Sequence, residues 1–229
     1  MISPTCGWFI VNATTRKPGR PRDPDLEVRR KAEILDVAAA IFAASGFAGT
    51  QVQTIADRLG VGNGTVYRYF PTKESLFLAA VERGLQELTD QVEPMMADQT
   101  DPVETIRRVV RTYLAFFRKR PEMAELFIQE RAAFPLQHRP LYFAMKDEDG
   151  KACQRAELFQ KLVDTHRVRP MPAERFFSVI GDLLYGTILT NLLTGRPADP
   201  KTQANDVLDV IFHGVLTDGE RTVQRKGKR

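Results

Sequence analysis

The sequence predicts an all-α protein, with an N-terminal three-helix unit followed by a larger C-terminal helical domain. Three observations point there. Apolar residues recur at three- and four-residue spacing along most of the chain. No segment shows the strict alternation of a half-buried strand. Prolines interrupt the pattern at or near several expected first turns, where a missing N–H costs little. With 229 residues, 43% hydrophobic and 27% charged, the chain can bury a sizeable core and keep a solvated surface. No stretch approaches the ~18 uninterrupted apolar residues of a membrane span.

The elements follow in order. Residues 1–25 contain Pro4, Pro18, Pro21 and Pro24 without periodicity and read as a flexible basic arm. The apolar stretch around Trp8, Phe9 and Ile10 has no basic residue ahead of it, unlike a secretory signal. It reads as a disordered extension, or as sequence upstream of the true start. A helix starts near Leu26, with Ile34, Val37, Ala38, Ile41 and Phe42 on one stripe, and Gly46 stops it. Two short helices are expected next, Val52 to Leu59 and Asn63 to Phe70, joined by the turn Gly60-Val61-Gly62. Val52, Ile55, Ala56 and Leu59 face inward on the first, Val66 and Phe70 on the second. Pro71 breaks the run and Thr72 caps a long helix, which Pro94 should end or kink.

Further helices are expected over Pro102–Lys119, Pro121–Ala133, Pro140–His166, Pro172–Leu193 and Pro200–Leu216. The domain plan is an arm (1–25), a helix-turn-helix unit (26–75), a helical body (76–218) and a basic tail (219–229).

Charge supports this division. Residues 1–73 carry 10 Lys/Arg against 6 Asp/Glu, and residues 220–229 carry 5 against 1. The stretch between holds 18 against 22, so two basic ends flank a slightly acidic middle. A basic end beside a helix-turn-helix suits a polyanion. Cys6 and Cys153 match no disulfide or zinc spacing, which points to a reducing cytoplasm.

The helix expected from Asn63 is ~12 Å long at ~1.5 Å per residue, the width of the B-DNA major groove at ~12 Å. Its outer face carries Asn63, Thr65, Tyr67, Arg68 and Tyr69. The runs Ile55-Ala56-Asp57-Arg58-Leu59-Gly60-Val61, Gly64-Thr65-Val66-Tyr67-Arg68-Tyr69-Phe70 and Lys73-Glu74-Ser75-Leu76 resemble the tetracycline-repressor (TetR) family of bacterial regulators. The resemblance covers about residues 30–80. It implies a homodimer of all-helical subunits, each with a DNA-binding head and a larger effector-binding body. A small molecule in the body would change the separation of the heads and release a palindromic operator. An activator or architectural DNA-binding protein without a ligand is the alternative.

Carried over position by position, the resemblance makes Gln53 and Asn63 candidates for base edges, since an amide can pair with adenine N6 and N7. Thr65 offers a methyl to thymine. Tyr67, Tyr69, Lys73 and Thr50 correspond to phosphate contacts, and Gly64 and Arg68 complete the set. Two departures matter. Gly62 stands where a small hydroxyl cap is usual, so either Gly62 or Asn63 caps the helix. If Asn63 caps, it cannot also read a base. Gly62 and Gly64 together leave this helix loose until DNA orders it. In the arm, Gly19-Arg20-Pro21-Arg22 resembles an AT-hook core, whose arginines, here Arg20 and Arg22, fit an A·T-rich minor groove. A solvated linker is the other possibility.

Enzyme signatures fail. Gly60-Val61-Gly62-Asn63-Gly64 lacks the GxGxxG spacing and a preceding strand. Asp147, Asp149 and Gly150 are followed by Leu158 where a calcium loop needs Glu. His138, His166 and His213 are isolated. No cofactor or metal is expected. In the body, Phe116, Phe117, Phe127, Phe134, Tyr142 and Phe143 either fill the core or line a ligand pocket. Val179, Leu183, Gly186, Thr187 and Thr190, with Val207, Ile211 and Gly214, mix small and large residues as a four-helix dimer interface would. Burial within one subunit is the alternative.

Overall fold

The computed structural model describes residues 24–97, 101–134, 149–196 and 199–213, together with Leu141. All regular structure among them is helical. The head comprises α1 (Pro24–Gly49), α2 (Val52–Leu59) and α3 (Asn63–Tyr69). The body comprises α4 (Lys73–Ala97), α5 (Pro102–Lys119), α6 (Pro121–Ala133), α7 (Asp149–Asp164), α8 (Ala173–Thr194) and α9 (Pro200–His213).

The limits of α2, α5 and α6 match the sequence expectation, and each has a local cause. Gly60 ends α2 in the left-handed region (φ 66°), its N–H turned back to Ala56 and Asp57. Asp101 caps α5 by accepting from Val103 N at 2.9 Å, and Pro102 follows in the first turn. Several other ends differ from expectation. Gly46 breaks α1 as expected (φ 74°, ψ 158°), yet the chain takes another helical turn to Gly49. α3 stops at Tyr69, with Phe70 already extended. Pro94 does not end α4, which runs on to Ala97. Its missing N–H falls in the last turn, on an exposed side, where water can satisfy the Asp90 carbonyl. α8 begins at Ala173 and reaches Thr194. The arm with Arg20 and Arg22, the aromatics Tyr142 and Phe143, and Gly214 with the basic tail lie outside the described residues.

α1 packs against α4 and α6, so the head is built onto the body rather than hung from it. α4 begins in the head and continues without a break through the expected boundary at residues 75 and 76. Phe42 and Phe47 of α1, Phe77 of α4 and Phe134 at the end of α6 form one ring cluster. The Phe42–Phe77, Phe47–Phe77 and Phe47–Phe134 centroids lie 5.1, 5.2 and 4.9 Å apart, all with steep ring angles. An ion-pair cluster flanks it. Arg83 of α4 reaches Asp36 of α1 at 3.3 Å and Glu87 at 3.4 Å. Arg120, between α5 and α6, pairs with Glu87, Glu122 and Asp36. Partial burial works against the Arg120 charge, but the three carboxylates hold its guanidinium above its ordinary value.

The body closes around α5, whose buried side presents Ile106, Val110, Leu114, Phe116 and Phe117. α9 packs on α5, and α7 on α8. A reciprocal amide pair, Asn191 with Gln203 at 2.8 and 2.9 Å, ties α8 to α9. Phe77 is fully buried and touches the rings of both head and body. Phe77→Ala should therefore lower unfolding free energy by ~3–5 kcal/mol. Chemical denaturation followed by circular dichroism measures this, and a loss under 1 kcal/mol would remove Phe77 from the shared core.

Candidate nucleic-acid interface

α2 and α3 are 8 and 7 residues long, too short to hold helical form alone. Their order comes from burial. Val52, Ile55 and Ala56 of α2 and Val66 of α3 are 5% exposed or less, and Phe70 is 8% exposed. The turn is fixed by the backbone: Val61 N donates to Ala56 O at 3.0 Å and Thr65 N to Gly62 O at 2.8 Å. Gly62 is the N-cap of α3, in an extended conformation, and no side chain caps the helix. Of the two roles open to Asn63, capping is therefore not adopted. Its Oδ1 is buried with no hydrogen-bond partner among the described residues. In this rotamer the amide does not offer the paired edge that adenine recognition needs.

The remaining expected residues divide into two groups. Gln53, Tyr67 and Arg68 are exposed, and Gly64 lies open beside them, with nothing within 4 Å of where a Cβ would stand. Thr65 and Tyr69 are half-exposed. Gln53 donates to Asp57 Oδ1 at 2.6 Å along α2. The Arg68 guanidinium lies over the Tyr69 ring, 4.9 Å from its centroid, and donates to the Tyr69 hydroxyl at 3.2 Å. These side chains form one polar face on α2 and α3.

Thr50 and Lys73 point elsewhere. Thr50 is 3% exposed, and its hydroxyl donates to the Gly46 carbonyl at 2.7 Å. Lys73, in the first turn of α4, turns its ammonium inward. Nζ donates to the carbonyls of Phe47, Thr50 and Ala48 at 2.9, 3.1 and 3.4 Å and sits 4.7 Å from the Phe47 ring centroid. Both residues were expected at phosphate. Here both fasten the corner between α1 and α2 on which the reading helices stand. The expected cap of α4 is present: Ser75 N donates to Thr72 Oγ1 at 3.0 Å, and Thr72 N to Ser75 Oγ at 3.1 Å.

Sequence reasoning missed Phe47 as the seat of that ammonium. It also missed the cluster of Asp36, Arg83, Glu87 and Arg120, whose i,i+4 member Arg83–Glu87 was visible but whose cross-helix partners were not. Lys73→Met keeps the stem and removes the donors. It should weaken duplex binding several-fold while leaving the log–log salt slope unchanged, because no phosphate contact is lost. A slope smaller by ~0.9 per head would instead return Lys73 to phosphate.

In the body, Phe116, Phe117 and Phe127 are 3–6% exposed and meet edge to face, with centroids 5.2 and 5.5 Å apart. Phe134 belongs to the head–body ring cluster. These four therefore act as packing in this conformation. A separate open cleft of about 490 Å³, lined by Arg107, Asn205, Asp206, Asp209, Val210 and His213, lies between α5 and α9. It is polar, and the sequence had not singled it out. Of the expected interface residues, Val179 and Leu183 are 49% and 42% exposed, and Gly186 and Thr190 are also exposed. Thr187, Val207 and Ile211 are half-buried.

Comparison with known proteins agrees with this architecture. Residues 34–80 match the model of bacterial regulatory proteins of the tetR family. The chain is 26% identical over 142 residues to the HTH-type transcriptional repressor KstR of Mycobacterium tuberculosis, covering 62% of this chain and 58% of KstR. It is 26% identical over 209 residues to the HTH-type transcriptional regulator BetI of Paraburkholderia xenovorans, covering 82% of this chain and 97% of BetI. Among solved structures, FadR of Bacillus subtilis in complex with stearoyl-CoA superposes with a TM-score of 0.65 at 18% identity, over 81% of this chain and 99% of that one. Residues 34–80 thus carry a segment of the tetR-family type, the relatives extend the similarity in sequence, and the solved structure shares the all-helical fold.

Proposed function

We propose that this protein is a homodimeric, ligand-responsive transcriptional repressor that holds a palindromic operator until a small molecule binds its body. The observation that carries this is the polar outer face of α3, mounted on a helix whose other side is locked by Val66 and Phe70. A helix of this length, held by its buried side and carrying such a face, suits the major groove. KstR is a transcriptional repressor and BetI a transcriptional regulator, which favours control of transcription as the outcome of binding. The B. subtilis FadR fold holds stearoyl-CoA, which favours an effector role for the body.

The dimer reading rests on an apolar stripe left uncovered in one subunit. α8 and α9 expose Val179, Leu183, Leu193 and Val210 at 42–75%. The Thr187 and Thr194 hydroxyls fold back onto the carbonyls of Leu183 and Thr190, at 2.7 Å each, and so leave the stripe less polar. α8 is long and apolar enough to cross a membrane by composition alone. Its inner side is spent on the body, with Ile180, Leu184 and Ile188 buried, so only one face needs covering. A second copy of the same face would bury it with two-fold symmetry. Binding of an inverted repeat would then require the two α3 helices to stand one or more DNA turns apart, near 34–36 Å for adjacent major grooves.

Selection of duplexes from a random library by the purified protein, followed by a screen for small molecules that release the selected DNA, tests this function. Inverted repeats are expected. Enrichment of no sequence would overturn it. Any releasing ligand must bind more weakly, by the same factor, when operator is present. The dimer can be tested separately with Gly186→Leu. A Cβ there meets nothing within 4 Å inside the subunit, and the position is exposed, so the subunit should fold normally. Sedimentation should show monomers, with operator affinity sharply reduced. A variant that stays dimeric and binds normally would put the interface elsewhere.

A further inference from the structure

On the strength of the DNA-binding function proposed above, we propose that Arg68 is the base-reading residue of α3 and that it selects a guanine in each half-site. The position follows from the helix itself. Val66 is fully buried, Phe70 lies beside it, and the Asn63 Oδ1 is also buried, so these residues mark the inward side. At about 100° per residue, Arg68 stands about 200° from Val66, at the middle of the opposite face. One turn earlier on that face is Gly64, which projects no side chain and has open space where a Cβ would be. The backbone of the first turn can therefore approach the groove floor closely, with Arg68 over it and no neighbour between.

The chemistry follows from the side chain. Among the polar residues of α3, Asn63 has its carbonyl oxygen turned inward, while Thr65 and the two tyrosines offer single hydroxyls. Arg68 alone presents a planar fork of donors. Paired acceptors in the major groove with matching spacing are O6 and N7 of guanine. The fork is also held in place. The Tyr69 ring supports the guanidinium at 4.9 Å, and the Tyr69 hydroxyl accepts one N–H at 3.2 Å, leaving the other edges open. An arginine stacked in this way loses less side-chain freedom on binding than a free one. Tyr69 is thus a positioning residue for Arg68.

The test compares wild-type protein, Arg68→Ala and Arg68→Lys in duplex selection and in salt titration on the duplex that wild type selects. Wild type should enrich a G·C pair at one position of each half-site. Arg68→Ala should lose that preference by about 5- to 150-fold at that position only, and Arg68→Lys, which lacks the planar fork and its seat on the Tyr69 ring, should lose part of it. Arg68→Lys keeps the charge but not the fork, so its salt slope should match wild type. An Arg68→Ala protein that still selects the same guanine would overturn the assignment. So would a uniform loss on all sequences with a slope smaller by ~0.9 per head, which would make Arg68 a phosphate ligand. Retained sequence selectivity in those cases would leave the regulator function standing. A wild-type protein that enriches no sequence would remove both.

Discussion

The contact on which the rest depends is the packing of Phe47 between the head and the body. Its ring meets Phe77 of α4 at 5.2 Å and Phe134 of α6 at 4.9 Å, and the Lys73 ammonium lies against it at 4.7 Å. Each such ring pair adds ~0.5–1.5 kcal/mol beyond the area it buries. The lysine does more than add to that sum. It draws the carbonyls of Phe47, Ala48 and Thr50 onto one cation, exactly where Gly46 has broken α1. The end of α1 would otherwise leave the Phe47 and Ala48 carbonyls without helical partners. The orientation of α2, and through it α3, is therefore set by a residue of α4.

This arrangement ties the head mechanically to the body. α4 is a single helix shared by both, and α1 packs on α4 and α6 together. The ring cluster and the ion pairs of Asp36, Arg83, Glu87 and Arg120 bracket the same seam. A displacement of the end of α6, where Phe134 sits, would act directly on Phe47. A closely packed seam of this kind passes small shifts on rather than absorbing them. Under the proposed function, an effector bound in the body would reach α2 and α3 without a hinge, which suits a head packed directly on the body.

The polar residues of the head are divided by burial, and the division assigns their work. Thr50, Lys73 and the Asn63 carbonyl oxygen face inward. Gln53, Tyr67 and Arg68 face outward. The inward hydroxyl and ammonium are satisfied by backbone carbonyls, as buried polar groups need to be. A hydroxyl or an ammonium suits both a phosphate and a carbonyl, so residue type alone could not separate these roles. On the body, α8 and α9 repeat the division in apolar terms, with Ile180, Leu184 and Leu208 inside and Val179, Leu183 and Val210 outside.

Most of the secondary structure was legible because it depends on local signals: Gly60 at a left-handed helix end, Asp101-Pro102 at a helix start, and apolar spacing along α5. The outer face of α3 was legible for the same reason, since Val66 and Phe70 fix which side is inward. Tertiary structure decided what distance in sequence conceals. Lys73 reaches back 23 to 26 residues to its carbonyls, and Phe134 meets Phe47 across the domain boundary. Pro94 predicts an end or a kink in α4, and its place in an exposed last turn lets the helix run on to Ala97. Local chemistry thus settles where helices begin and end and which side is apolar. Which cation meets which carbonyl is settled only when distant segments are brought together, because the same donor can satisfy phosphate, water or backbone.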